Sequence, residues 1–79
     1  MDKYMINEKM REAITRAAVE AGSFNALAAT AGIESVTLQL LADGHMTELS
    51  AKNLKILLPY TIMYLPGNEK KAAIKFVSA

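Results

Sequence analysis

The chain has no cysteine, no tryptophan and only one histidine among its 79 residues. Without cysteine there is no disulfide framework, no thiolate metal site and no thiol nucleophile. A lone histidine, His45, cannot assemble a metal cluster. Nor does it supply a plausible catalytic triad, because Ser23 and Asp43 lie near it in sequence with nothing to suggest a pocket. Zincin and phosphate-loop patterns are missing as well. The expectation is therefore no enzyme, no cofactor and no metal. No apolar run approaches the roughly 20 residues that span a bilayer. The opening MDKYMINEKM carries no apolar stretch of the kind a leader peptide uses. A cytoplasmic protein with no membrane partner is expected.

Charge is scarce in one region. The net charge is +1, which neither favours nor forbids nucleic acid. Residues 1–22 balance four basic side chains against four acidic ones, and residues 23–46 hold only Glu34 and Asp43. Residues 47–79 set five lysines against Glu48 and Glu69. Any hold on phosphate must come from the flanks and the C-terminal third.

What is present is apolar: 52% of the residues, much of it alanine, methionine and leucine. That is a folding composition, sized for one core. A single domain spanning 1–79 is expected, with no linker or repeat. Lys3–Ile6 suits an extended arm or edge strand. Asn7 suits an N-cap, and Met10, Ile14, Ala17, Ala18 and Ala21 recur at helical spacing up to Gly22. Ser23 suits the cap of a second helix over Phe24–Ala31. A third helix is expected from Ser35 to Asp43, closed by Gly44. Ser50 caps a fourth over Ala51–Leu58, with Leu54, Leu57 and Leu58 buried and Pro59 as its stop. Beyond it, YTIMYL is rich in β-branched and aromatic residues and PGNE suits a turn. A C-terminal β-hairpin is expected there, with Ala72, Ile74 and Phe76 facing the core and Lys71, Ala73, Lys75 and Val77 outside.

The stretch FNALAATAGIESVTLQLLADG, Phe24–Gly44, has a geometric logic. Two short helices that cross steeply need a small residue at closest approach, and Ala28 stands there. The reversal needs positive φ early in the turn, which Gly32 supplies. Ile33 plugs the turn, and Leu38 and Leu41 anchor the second helix.

These residues resemble the helix-turn-helix family of phage repressors and Cro-like proteins. That family places an alanine four before the turn glycine, an apolar residue directly after it, and apolar anchors six and nine beyond. Here those positions hold Ala28, Gly32, Ile33, Leu38 and Leu41. The resemblance implies a mainly α fold with a small antiparallel β element, a four-helix domain followed by the C-terminal hairpin. It also implies a transcription regulator, such as a phage or prophage repressor, that binds a palindromic double-stranded DNA site as a homodimer. Matching positions make Glu34, Ser35, Val36, Gln39 and Leu40 base-facing. Thr37, His45, Ser50, Lys52 and Lys55 become candidate contacts to the DNA backbone.

Where the family often carries glutamine, this chain has Phe24, which suits packing on the first or fourth helix. No arginine extends from the third helix, so the commonest contact to guanine is missing. One reading is an A·T-rich site, read by Val36, Leu40 and Gln39. The other turns the scaffold to protein binding, with Val36 and Leu40 in an interface. A dimer joined through strands in Tyr60–Leu65 completes the expectation, with Met63 at its seam.

Overall fold

The computed structural model describes residues 3–78, so the outermost residues of the expected 1–79 domain, 1, 2 and 79, lie outside the described part. Elements follow in the order β1 (Lys3–Met5), α1 (Glu8–Ala21), α2 (Phe24–Ala31), α3 (Ser35–Asp43), β2 (Glu48–Ser50), α4 (Ala51–Thr61) and α5 (Gly67–Ser78). A single 3₁₀ turn, Ile62–Tyr64, leads from α4 toward α5. The fold is mainly α-helical with a small antiparallel β element, as expected, but the β element joins the N-terminal arm to Glu48–Ser50 in place of a C-terminal hairpin.

Side-chain caps set the helix starts. The Asn7 side chain accepts from the Met10 N–H at 2.9 Å, Ser23 from Ala26 at 3.0 Å, and Ser50 from Asn53 at 3.2 Å. Each satisfies one of the orphan donors of a first turn, worth about 1 kcal/mol apiece. From these starts α1 buries Met10, Ala13, Ile14, Ala17 and Ala18. Ala21, expected on that stripe, is exposed, and Ala13 takes a buried place instead. Small side chains along α1 let α2, α3 and α4 all pack against it.

The N-terminal arm pairs with β2, not with a C-terminal hairpin. The ladder is antiparallel, matching Lys3 with Ser50, Tyr4 with Leu49 and Met5 with Glu48. A further bond runs from the Ile6 N–H to the Thr47 carbonyl at 2.8 Å. Ile6 and Leu49 are buried beneath it.

The C-terminal third departs from expectation. α4 continues through Pro59 to Thr61. The missing proline donor would have met the Lys55 carbonyl. Lys55 and Pro59 are both exposed, so water can serve that carbonyl. Beyond the proline, Thr61 is fully buried and its hydroxyl stays within the helix, 3.4 Å from the carbonyls of Leu57 and Leu58. Tertiary burial of Leu58, Thr61 and Leu65 overrides the β preference of YTIMYL.

There is no hairpin at residues 60–77. PGNE opens α5: Pro66 immediately precedes it, Glu69 stands in its first turn and Lys75 in its last, both favourable to the helix dipole. Residues 69–75, EKKAAIK, are mostly strong helix formers. Helical spacing then buries Ala73 and half-buries Phe76, while Ile74 is 51% exposed. The expected faces are thus reversed for Ala73 and Ile74, and Ala72, expected inside, is exposed. Phe76 meets Tyr4 edge-on at 4.8 Å between ring centroids, and the Lys55 ammonium lies 5.6 Å from its centroid. The Asn7 side-chain amide donates to Glu69 at 3.5 Å. The Arg16 guanidinium lies 5.6 Å from the Tyr64 ring centroid.

The two arrangements of the tail make opposite forecasts for two substitutions. Ala73→Asp should lower stability by roughly 2 kcal/mol or more, because a carboxylate would enter the seam between α5 and the bundle. Ile74→Asp should stay within about 0.5 kcal/mol of the parent. Urea melts followed by circular dichroism decide it, and a hairpin would reverse the ranking.

Candidate nucleic-acid interface

α2 and α3 are joined by a three-residue turn. Gly32 sits in the left-handed region at φ 78° and ψ 35°, and its N–H returns to the Ala28 carbonyl at 2.9 Å. The Ile33 N–H reaches the same carbonyl at 3.2 Å, so one acceptor closes the helix and begins the reversal. Nothing lies within 4 Å of where a Gly32 Cβ would be. The glycine is therefore required by backbone conformation and not by crowding.

Packing fixes which way α3 faces. Leu38 and Leu41 are fully buried, and Leu27 and Ala28 of α2 are buried near them. Ile33 is half-buried against this core, as is Phe24. With Leu38 and Leu41 inside, helical geometry turns the opposite side of α3 to solvent. Val36 is 66% exposed, and Gln39, Asp43 and Glu34 are exposed. Ser35, Thr37 and Leu40 are half-buried, so Leu40 presents less surface than expected. Glu34 occupies the N-cap position of α3 but makes no capping hydrogen bond with its side chain.

The expected base-facing set, Glu34, Ser35, Val36, Gln39 and Leu40, thus lies on one short helix. Its polar members are connected. The Gln39 amide donates to the Ser35 hydroxyl at 3.1 Å, and that hydroxyl donates to the Asn25 side-chain carbonyl on α2. Asn25 was not singled out from sequence. Its signal is positional: the polar residue after the aromatic at the start of α2 stands beside the start of α3 once the turn closes.

The expected backbone-contact set is more dispersed. α3 packs on α1 and α2, whereas α4 packs mainly on α1, the 3₁₀ turn, α5 and the strands. Lys55 lies over Phe76, at the α5 side of α4. Lys52 is exposed on α4, and His45 is exposed in the turn beyond α3. Ser50 has its hydroxyl engaged as the α4 cap. Charge on α3 itself is negative, from Asp43 and the adjoining Glu34.

Among the described residues, no group of three or more metal-ligating side chains comes together, and no helix is long and apolar enough to cross a membrane. No family model, curated protein or solved structure matches the chain. What stands is the fold, a small helical domain with a two-stranded antiparallel ribbon.

Because open space surrounds the Gly32 Cβ position, its substitutions isolate the backbone term. Gly32→Ala should cost about 1 kcal/mol and Gly32→Val about 2 kcal/mol, with Gly32→Asn the mildest. Chemical denaturation midpoints test the order. Equal midpoints for all four proteins would show that residue 32 is not left-handed.

Proposed function

We propose that the domain is a sequence-specific double-stranded DNA-binding regulator of transcription, of the phage repressor or Cro-like kind, with α3 as the element that enters the major groove. The observation supporting this is the mounting of α3. It is held along its inner edge by Leu38 and Leu41, joined to α2 by a left-handed glycine, and bare along an outer edge that carries Val36 and Gln39. A helix with one free edge and small polar and apolar side chains suits a groove about 12 Å wide. Val36 fits a thymine methyl, and Gln39 fits a base edge. A two-fold pair of domains on a palindromic site accompanies this reading. The expected strand-mediated dimer is set aside, since Tyr60–Tyr64 is helical or 3₁₀ and Thr61 and Leu65 are buried; Met63, 60% exposed, remains available for contact.

Electrostatics shape the rest. With Glu34 and Asp43 on or beside α3, phosphate must be held from outside it, by Lys52 and the other exposed lysines, with the His45 side chain nearby in the turn. A second reading, a protein-binding scaffold, draws support from Val36 and from the lack of any cation on α3.

Duplex retention measured against salt separates the two. The protein should hold random duplex weakly and an A·T-rich site more tightly. The logarithm of affinity should fall with the logarithm of salt by about 0.9 per phosphate neutralised. Lys52→Ala should lower that slope by about 0.9 while weakening all sequences alike. A protein that retains no duplex at low salt, yet loses a protein partner on Val36→Asp, would establish the second reading instead.

A further inference from the structure

The hydrogen bonds that join Asn25, Ser35 and Gln39 have a direction, and the direction limits what Gln39 can recognise. A serine hydroxyl has one proton. Here it goes to the Asn25 carbonyl oxygen, so Ser35 can only accept from the Gln39 amide. That commits one of the two Gln39 N–H groups and orients its amide nitrogen toward Ser35. With Asn25 presenting its carbonyl oxygen, a flipped Gln39 amide would set its own carbonyl against a hydroxyl with no proton left to give. What remains outward is one donor and one acceptor: the second N–H and the Oε1 carbonyl.

We infer that Asn25 and Ser35 are positioning residues that restrict Gln39 to adenine and exclude guanine at one base pair of the bound site; the inference rests on the DNA-binding reading above. In the major groove adenine offers an acceptor, N7, and a donor, the N6 amine, which match the outward pair. Guanine offers two acceptors, N7 and O6. An unrestrained glutamine can direct both amide N–H groups at guanine, but one tied to Ser35 has a single donor to spare. The discrimination therefore originates in α2, at a residue that need not touch the base. It also gives Ser35 a role besides direct base contact, since the single proton of its hydroxyl is spent within the protein.

Selection of bound sites from a randomised duplex pool tests this, with parent and variants read by sequencing. The parent should prefer adenine over guanine at one position per α3 by about tenfold or more, the range of a good two-point base contact. Gln39→Ala should abolish that preference. Ser35→Ala frees both amide protons, and Asn25→Ala frees the serine hydroxyl to rotate. Each should reduce the preference to about threefold or less while other positions keep theirs. Asn25→Asp retains an acceptor for the serine proton. It should preserve the adenine preference while lowering affinity for all sequences together, through its added charge. In the free protein, Ser35→Ala and Asn25→Ala should both shift the Gln39 side-chain amide signals in nitrogen–proton spectra. An adenine preference indifferent to both alanine variants, or amide signals that do not move, overturns the coupling alone. A parent that enriches no sequence overturns the DNA-binding reading, and the base assignment falls with it.

Discussion

Everything in this domain leans on the inner surface of α1. Ala13, Ile14, Ala17 and Ala18 form a nearly smooth band in which Ala13 and Ile14 have no solvent exposure. Three helices approach that band: α2 and α3 from the N-terminal half of the chain and α4 from the other. Alanine on α1 lets helix axes come near, while leucine from the partners fills the remaining volume with Leu38, Leu41 and Leu57, all fully buried. Each such leucine is worth roughly 1.5–3 kcal/mol of burial. The orientation of α3 is thus a consequence of α1: fixing Leu38 and Leu41 against it determines which side of a nine-residue helix is left outward.

Where the chain's instructions are local, they are legible. Asn7, Ser23 and Ser50 announce helix starts because each places a short acceptor one turn before donors that need one. Gly22, Gly32 and Gly44 announce helix ends because only glycine enters the positive-φ region cheaply, and all three do. Both ends of α1 and α2, the end of α3 and the start of α4 follow from those six residues. The outward side of α3 was legible for the same reason, since it is the complement of the buried Leu38 and Leu41.

The tail was not legible, and its difficulty is physical. Short segments such as YTIMYL and KKAAIKFV satisfy a two-residue and a 3.6-residue period about equally well. Pro59 ordinarily stops a helix, and it would do so here if Lys55 and Pro59 faced the core. Their exposure is a tertiary fact that no local pattern encodes. Once α4 passes the proline, Thr61 and Leu65 reach the core and Pro66 becomes the start of α5 instead of a hairpin corner. The β ribbon that the composition promised is made by Lys3–Met5 and Glu48–Ser50, short strands far apart in sequence. Asn25 escaped notice for a related reason. Its partner Ser35 is ten residues away, and they meet only because the Gly32 turn folds α3 back beside α2.

The division of charge bears on how such a domain could recognise a duplex. A reading helix rich in arginine gains affinity and specificity together, since the same cations attract every phosphate and contact guanine. Here α3 contributes no positive charge, and Glu34 and Asp43 oppose approach to the phosphates. On the proposed DNA-binding reading, attraction and discrimination fall to different residues: exposed lysines elsewhere for the first, neutral side chains on α3 for the second. A neutral amide gains little from long-range attraction, so its discrimination depends on orientation, and free rotation of the amide would weaken it. The link from Gln39 through Ser35 to Asn25 restrains that rotation with protein hydrogen bonds already formed before any partner arrives. Orientation supplied in advance lowers the entropy lost on contact. On a surface with so little charge of its own, that is the main physical means by which α3 could favour one base edge over another.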